Sequence, residues 1–127
     1  MNDVVWLSAT EQATLLKARE VSSADLVKAY ISRIEKINPL LNAYVTVCRE
    51  EAVEQARVAD HRLASGDTIA PFLGVPISID DLTETAGTRT TYSSRAFANY
   101  VPTRDAAVVR RLKDAGFVIL GKTNTPE

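Results

Sequence analysis

The sequence is poor in the residues that build metal centres and histidine-dependent active sites. Its 127 residues include one cysteine, Cys48, and one histidine, His61. A single cysteine excludes an intrachain disulfide and a thiolate metal cluster. A Ser-His-Asp triad has little support, because no Gly-x-Ser-x-Gly sequence accompanies the histidine. We expect Cys48 to be a small buried apolar residue, His61 to lie on the surface, and the protein to be cytoplasmic.

An excess of charge of one sign is also missing. Fifteen basic and sixteen acidic side chains give a net charge of −1, with no long run of either sign. This balance does not favour a nucleic-acid or membrane-surface partner. The first residues lack the basic and apolar regions of a signal peptide, and no apolar run is long enough to cross a bilayer. The length and the apolar content of 46% fit one small globular domain.

Local signals predict two helices at the start of the chain. Ser8-Ala9-Thr10-Glu11 reads as a capping box, with its helix running to about Arg19. Ser22 is the expected cap of a second, strongly amphipathic helix. Pro39 is expected to end that helix near Ile37 or Asn38.

The rest of the pattern alternates strands with helices. A strand at Ala43–Val47 precedes a third helix from about Glu50, which Gly66 should terminate. A strand at 75–79, an irregular loop at 83–103, a last helix and a strand at 117–120 follow. Asp105 is the expected cap of that last helix, whose buried side would hold Val108, Val109, Leu112 and Ala115. The order predicts an α/β fold with a mostly parallel or mixed sheet.

The most informative stretch is Gly74–Leu82, a short apolar strand that ends in the adjacent carboxylates Asp80 and Asp81. Such strand ends often present chemistry in α/β proteins. The alternative is an ordinary strand end with a solvated Asp-Asp pair. A third hypothesis adds Glu84 and makes a Mg²⁺ or Ca²⁺ site, although no further ligand stands at a telling spacing.

A literal Walker A pattern occurs at Gly116–Thr123. A phosphate loop needs a strand before the first glycine and a helix after the threonine. Here a helix precedes Gly116, four bulky apolar residues fill the gap, and Pro126 follows too soon for a good helix. We therefore expect a buried strand and no phosphate site.

Two stretches together resemble the amidase signature family. Gly74–Gly87 is similar to the start of its core, and Ala106–Leu112 with Gly121–Glu127 resembles the segment that follows. The first helices and Leu41–Val45 also look like the opening part of that family's sequences, so the resemblance covers nearly the whole chain. It implies amide hydrolases and amidotransferases with an α/β/α core around a mixed sheet, and no metal or organic cofactor.

The resemblance also implies a catalytic lysine, a serine in a cis peptide and a nucleophilic serine. A lysine buried among hydroxyls loses its proton easily and can then activate the nucleophile through the other serine. Asp80 occupies the position of that lysine, and its shorter side chain of opposite charge cannot supply the same reach or positive form. Lys122 lies on the matching Gly-Lys-Thr-Asn segment and is not the family's base. The two serines would lie beyond Glu127.

The resulting prediction is that residues 1–127 form a single, truncated N-terminal part of an amidase-signature domain. The parent enzyme would convert a small carboxylic amide to an acid and ammonia through an acyl-serine, and the chain alone would be inactive. Two alternatives stay open. One is a non-catalytic fragment that folds alone or assembles with itself or a complementary segment. The other is a piece of a glutamyl-tRNA amidotransferase A-type subunit.

Overall fold

A computed structural model describes residues 3–67 and 69–126. These residues form four α-helices and three strands, with short 3₁₀ turns at Val4–Trp6 and Arg95–Phe97. In chain order the elements are α1 (Ala9–Lys17), α2 (Ser23–Leu41), β1 (Tyr44–Val47), α3 (Arg49–Ala64), β2 (Pro76–Asp80), α4 (Ala107–Asp114) and β3 (Val118–Thr123). The predicted α/β class is confirmed.

The three strands form one mixed sheet in the order β1-β3-β2. The central strand β3 is parallel to β2 and antiparallel to β1. The expected parallel pair is therefore present, and it brings the carboxyl ends of β2 and β3 to the same edge. The β2–β3 ladder shifts register between Ile77 and Ser78, where β3 contributes one extra residue. The β1–β3 ladder shifts between Tyr44 and Thr46, where the extra residue belongs to β1.

Helices cover both faces of the sheet. On one face, α2 and α3 bury Val118 and Leu120 of β3. On the other, Val109 of α4 packs against Ile79 and Ile119. The sheet is thus the middle layer of a three-layer arrangement, as a strand buried on both sides requires.

The starts of α1 and α2, where the sequence carries local capping signals, were predicted correctly. Ser8 and Glu11 form the capping box, and the hydroxyl of Ser22 accepts a hydrogen bond from the backbone of Asp25. The predicted end of α2 was wrong, because the helix continues through Pro39 to Leu41. Pro39 lies in the last turn, where its missing N–H removes only one bond, and Asn42 in a left-handed conformation ends the helix.

Two predictions about the last helix were wrong. Asp105 does not cap it: α4 starts after Ala106, with no side-chain cap. The Asp105 carboxylate instead accepts a hydrogen bond from the Ala86 backbone N–H at 2.7 Å and pairs with Lys113. Val108 is exposed, and of the predicted apolar side only Val109 is fully buried. Asp105 is therefore used to hold the loop that follows β2.

The carboxyl-terminal strand is longer than predicted and includes the residues of the Walker-like pattern. β3 spans Val118–Thr123, so Gly121 and Lys122 lie within a strand. The strand that the sequence predicts within the Walker-like pattern is therefore confirmed. None of the helices in residues 3–67 and 69–126 has the length and apolarity needed to cross a membrane.

Candidate functional site

The carboxyl ends of the parallel strands β2 and β3 meet where Asp80 and Asp81 lie. Asp80 is in register with Thr123, and the Asp81 backbone N–H donates to the Thr123 carbonyl at 3.0 Å. The Asp-Asp pair therefore lies directly beside the last strand. Polar groups at this edge are well placed to face a ligand.

Asp80 is exposed and folds back on its own turn. Its Oδ1 accepts hydrogen bonds from the Leu82 backbone N–H at 2.9 Å and from Thr83 Oγ1 at 3.0 Å. This is the Asx-turn geometry that aspartate commonly adopts after a strand. The side chain at position 80 is thus open to solvent and held only by local contacts.

Asp81, in contrast, is completely buried. Its carboxylate accepts hydrogen bonds from both the backbone N–H and the hydroxyl of Thr91, the former at 3.0 Å. Its backbone carbonyl accepts from the Tyr92 N–H at 2.9 Å. A solvated Asp-Asp pair therefore does not describe this strand end, since Asp81 anchors the loop.

Lys122 is the second buried charged residue of the site and has no exposed surface. Its Nζ donates to the Thr83 carbonyl at 2.7 Å and to Thr90 Oγ1 at 2.8 Å. Burial lowers the pKa of the Lys122 amine, and the negative charges of Asp81 and Asp80 oppose that effect. Lys122 thus connects the loop that follows β2 to β3, and Asp81 connects the same loop to the end of β2.

Further hydrogen bonds attach the loop to β1 and connect its own residues. The Arg89 guanidinium reaches Thr46 of β1 and the Ala98 carbonyl. The phenols of Tyr92 and Tyr100 both donate to Glu84 Oε1 at 2.8 Å. Those bonds raise the pKa of Tyr92 to about 12 and lower the pKa of Glu84. The irregular loop predicted at 83–103 is therefore closely fastened to all three strands.

The three carboxylates suggested for a cation have separate partners. Asp80 serves its own turn, Asp81 serves Thr91, and Glu84 serves the two tyrosines. Within the part of the chain that the structure describes, no group of three or more His, Cys, Asp or Glu side chains is arranged to hold a metal ion. The geometry gives the cation hypothesis no support.

The remaining candidates lie as their residue types suggest. Cys48 is buried, and burial raises the pKa of its thiol, which makes it a poor nucleophile. His61 is exposed on α3. Neither contributes a side chain to the end of β2.

Sequence reasoning missed that Asp81 and Lys122 are buried anchors. Their partners lie 10 and 39 positions away along the chain, inside a loop without periodicity. The only local signal was the apolar run before Lys122, which made a buried strand continuation conceivable. Thr88, Thr90 and Thr91 offered matching hydroxyls, but no rule of spacing joins them to a strand.

The arrangement is that of a partial α/β core, with a polar loop closed over the carboxyl ends of parallel strands. Comparison with known proteins makes the class more specific. The chain belongs to the Amidase family, whose model matches residues 25–127. The resemblance seen in the sequence is thereby confirmed.

Two curated relatives of the chain carry the same name. The A-type subunit of the glutamyl-tRNA(Gln) amidotransferase from Carboxydothermus hydrogenoformans is 46% identical over 125 residues, which are 98% of this chain and 26% of that protein. The protein of the same name from Dehalococcoides mccartyi strain CBDB1 is 46% identical over 127 residues, which are 100% of this chain and 26% of that protein. The chain thus spans about a quarter of the length of these relatives.

Solved structures of amidases share the fold. The peptide amidase from Stenotrophomonas maltophilia superposes with a TM-score of 0.86 at 32% identity, over 92% of this chain and 24% of its own. A bacterial aryl acylamidase of the amidase signature family gives 0.87 at 28% identity, over 95% and 26%. The partial α/β core is therefore the one that amidase-signature enzymes use.

Proposed function

We propose that this chain is the N-terminal part of an amide-hydrolysing enzyme and is inactive alone. The parent reaction would convert a small carboxylic amide to its acid and ammonia through an acyl-serine, with no metal or organic cofactor. The two serines of the family match no part of residues 1–127, which we take as one incomplete domain. Family membership and the shared fold support the proposal.

The single observation that carries it is the surroundings of Asp80. The residue stands at the family's lysine position, at the end of β2 and beside a loop fastened by Asp81 and Lys122. The framework that would hold a catalytic side chain is intact, while the side chain itself is an aspartate. An exposed aspartate that bonds to its own turn cannot act as the longer, neutral amine that the family's reaction uses.

A direct assay tests the inactivity. The purified chain is incubated with simple aliphatic and aryl amides, and the release of ammonia is measured. We expect no turnover above the buffer rate, because nucleophile, oxyanion donors and base are all lacking. Turnover that Asp80→Ala abolishes would contradict the proposal.

A chimera tests the role of position 80. Residues 3–126 replace the corresponding segment of the Stenotrophomonas maltophilia peptide amidase, which supplies the remaining chain. We expect Asp80→Lys to raise the rate of ammonia release by at least about 10³-fold over the chimera with Asp80. Removing a catalytic residue typically lowers the rate by a factor of this size or more. Asp80→Asn is the matched control and should stay inactive. Equal activity of the Asp80 and Asp80→Lys chimeras would refute the assignment.

A second candidate function follows from the names of the relatives. Identity is 46% to amidotransferase subunits but 28–32% to the two amidases. We therefore also propose that the parent protein is the A-type subunit of a glutamyl-tRNA(Gln) amidotransferase. The test is co-purification of the tagged chain with the other subunits of the Carboxydothermus hydrogenoformans enzyme, compared with a tagged Stenotrophomonas maltophilia segment. Equal capture by both would remove the preference for an amidotransferase.

We propose further that the chain itself binds no nucleic acid and acts in the cytoplasm. The net charge of −1 supports the first point, because phosphate binding needs a surplus of Lys and Arg. A gel-shift titration with tRNA at low salt should give no complex. A shift that disappears at high salt would contradict this part of the proposal.

A further inference from the structure

The side chain of Lys122 has an unusual environment for a cation. It is fully buried, and none of the ion pairs found among residues 3–67 and 69–126 includes it. Its two bonds go to neutral oxygens, the Thr83 carbonyl and Thr90 Oγ1. The Thr90 hydroxyl donates its own proton to the Thr88 carbonyl at 3.1 Å, so its oxygen is turned to accept from the lysine. Burying an ammonium group is costly, so these two bonds indicate a specific role.

Thr83 connects this buried group to the exposed residue at the end of β2. Its carbonyl accepts from Lys122 Nζ at 2.7 Å, and its hydroxyl donates to Asp80 Oδ1 at 3.0 Å. Its backbone N–H also donates to the Asp80 carbonyl at 3.3 Å. A single residue therefore bridges Lys122 and position 80, on both the backbone and the side chain.

We propose that Lys122 is a positioning residue: it fixes Thr83, and Thr83 fixes the turn that orients whatever side chain stands at position 80. The importance of position 80 for catalysis rests on the proposed function. The positioning itself does not rest on the proposed function, because it can be measured without any assay of activity. In an enzyme of this family with a lysine at that position, the backbone bond from the Thr83 N–H to the carbonyl of residue 80 would remain and would fix the start of the catalytic side chain.

The neighbouring carboxylates fit this assignment. Asp81, the fully buried neighbour of Asp80, is the strongest of the negative charges acting on the Lys122 amine. It holds the next part of the loop through Thr91. Lys122 thus holds both Thr83 and Thr90 while Asp81 holds Thr91, so the segment from Thr83 to Thr91 is fastened at both ends.

The experiment measures backbone order by ¹⁵N relaxation in the purified chain. In the unmodified chain we expect amide order parameters near about 0.85 for Leu82 and Thr83, the value of rigid backbone. Lys122→Met removes the ammonium group at nearly the same length. We expect the order parameters of Leu82 and Thr83 to fall to about 0.6 or below, while those of Ile77 and Ile119 in the strands stay unchanged.

Two further variants keep the result decisive. Thr83→Val removes the hydroxyl that reaches Asp80 but leaves the carbonyl that Lys122 binds, and it should loosen Leu82 in the same way. Lys28→Met changes an exposed lysine on α2 and is the matched control, expected to leave all four amides unchanged.

The proposal is overturned if Lys122→Met leaves Leu82 and Thr83 rigid, or if it loosens the strands to the same extent as the turn. If Lys122→Met does not fold, Thr83→Val decides, and an unchanged Leu82 amide overturns the proposal. None of these results depends on amide hydrolysis, so the proposed function stands or falls separately with the ammonia assays.

Discussion

Two adjacent aspartates with the same chemistry occupy opposite environments at the end of β2. Asp80 is exposed and bonds only to its own turn, whereas Asp81 is fully buried and holds Thr91. Successive residues of a strand point to opposite sides, which explains how one of the pair enters the interior. The functional interest of Asp80 and the structural role of Asp81 are therefore separate, and substitutions should separate them too.

Replacing the buried aspartate should destabilise the protein strongly. Asp81→Ala leaves the N–H and hydroxyl of Thr91 without their acceptor and removes a negative charge near Lys122. We expect the free energy of unfolding to fall by about 2–5 kcal/mol, measured by urea denaturation. Asp80→Ala, the matched control, should cost much less. Similar losses for the two variants would show that the burial of Asp81 does not matter.

The pair of tyrosines on Glu84 predicts a pH dependence at the alkaline end. Hydrogen bonding to the carboxylate raises the pKa of Tyr92 to about 12 and also raises the pKa of Tyr100. A phenol with a raised pKa in the folded state contributes stability below its unfolded pKa of about 10. That contribution is lost as the pH rises from about 10 through about 12.

The absorbance of tyrosinate measures the raised pKa values of the two phenols directly. Glu84→Gln keeps an acceptor but removes the charge, so the late step of the titration should move down towards about pH 10. Glu20→Gln, which changes an exposed carboxylate elsewhere, serves as the control. A titration curve that is the same with and without the Glu84 charge would contradict the assignment.

Among the helices and strands, the features predicted correctly are those decided by neighbouring residues. Ser8 with Glu11 and Ser22 with Asp25 make their caps within one turn, so sequence alone identifies them. Asp105 has the right type for a cap, but tertiary contacts with Ala86 and Lys113 take its carboxylate. The parallel pairing of β2 and β3 followed from the order of elements, while the anchoring of the loop by Asp81 and Lys122 depends on distant partners that no local pattern reveals.

Gly121 permits the close approach of β1 to β3. A Cβ placed there would lie 2.2 Å from the Thr46 carbonyl oxygen, a backbone atom that cannot turn away. Gly121→Ala should therefore push β1 off the sheet and lower the free energy of unfolding by about 3 kcal/mol. Thermal or urea unfolding measures the loss.

Gly66→Ala is the matched control. A Cβ at Gly66 meets nothing within 4 Å, although its φ of +82° is unfavourable for alanine, so we expect a loss of about 1–2 kcal/mol. Comparable losses for the two variants would mean that backbone conformation, and not the contact with Thr46, explains the glycine at 121.

At the scale of the whole molecule, the chain spans about a quarter of the length of its relatives. It also exposes apolar side chains at the end of α2. Leu40 and Leu41 at the end of α2 are 85% and 66% exposed. Leu41 also lines a groove of about 270 Å³ together with Ile37 and Tyr44. Exposed apolar surface of this kind favours association.

We expect the purified chain to self-associate as its concentration rises, which static light scattering measures. The double variant Leu40→Ser, Leu41→Ser should reduce the apparent mass at a given concentration. Val58→Ser, an exposed apolar residue on α3, is the control and should have little effect. A single monomer mass over the whole concentration range would contradict the prediction.

The bulge of β3 at its extra residue, Leu120, decides which face of the sheet Lys122 occupies. Ile77 pairs with Ile119 and Ile79 with Lys122, so three positions on one strand correspond to four on the other. This offset turns the lysine towards the polar loop; strict alternation would direct it among the side chains beneath α2 and α3. Deleting Leu120, the residue without a partner on β2, would restore a regular ladder in which Lys122 still lies opposite Ile79. The extra position therefore adds the buried Leu120 side chain to the core beneath α2 and α3, and its loss should lower stability without moving the ammonium group.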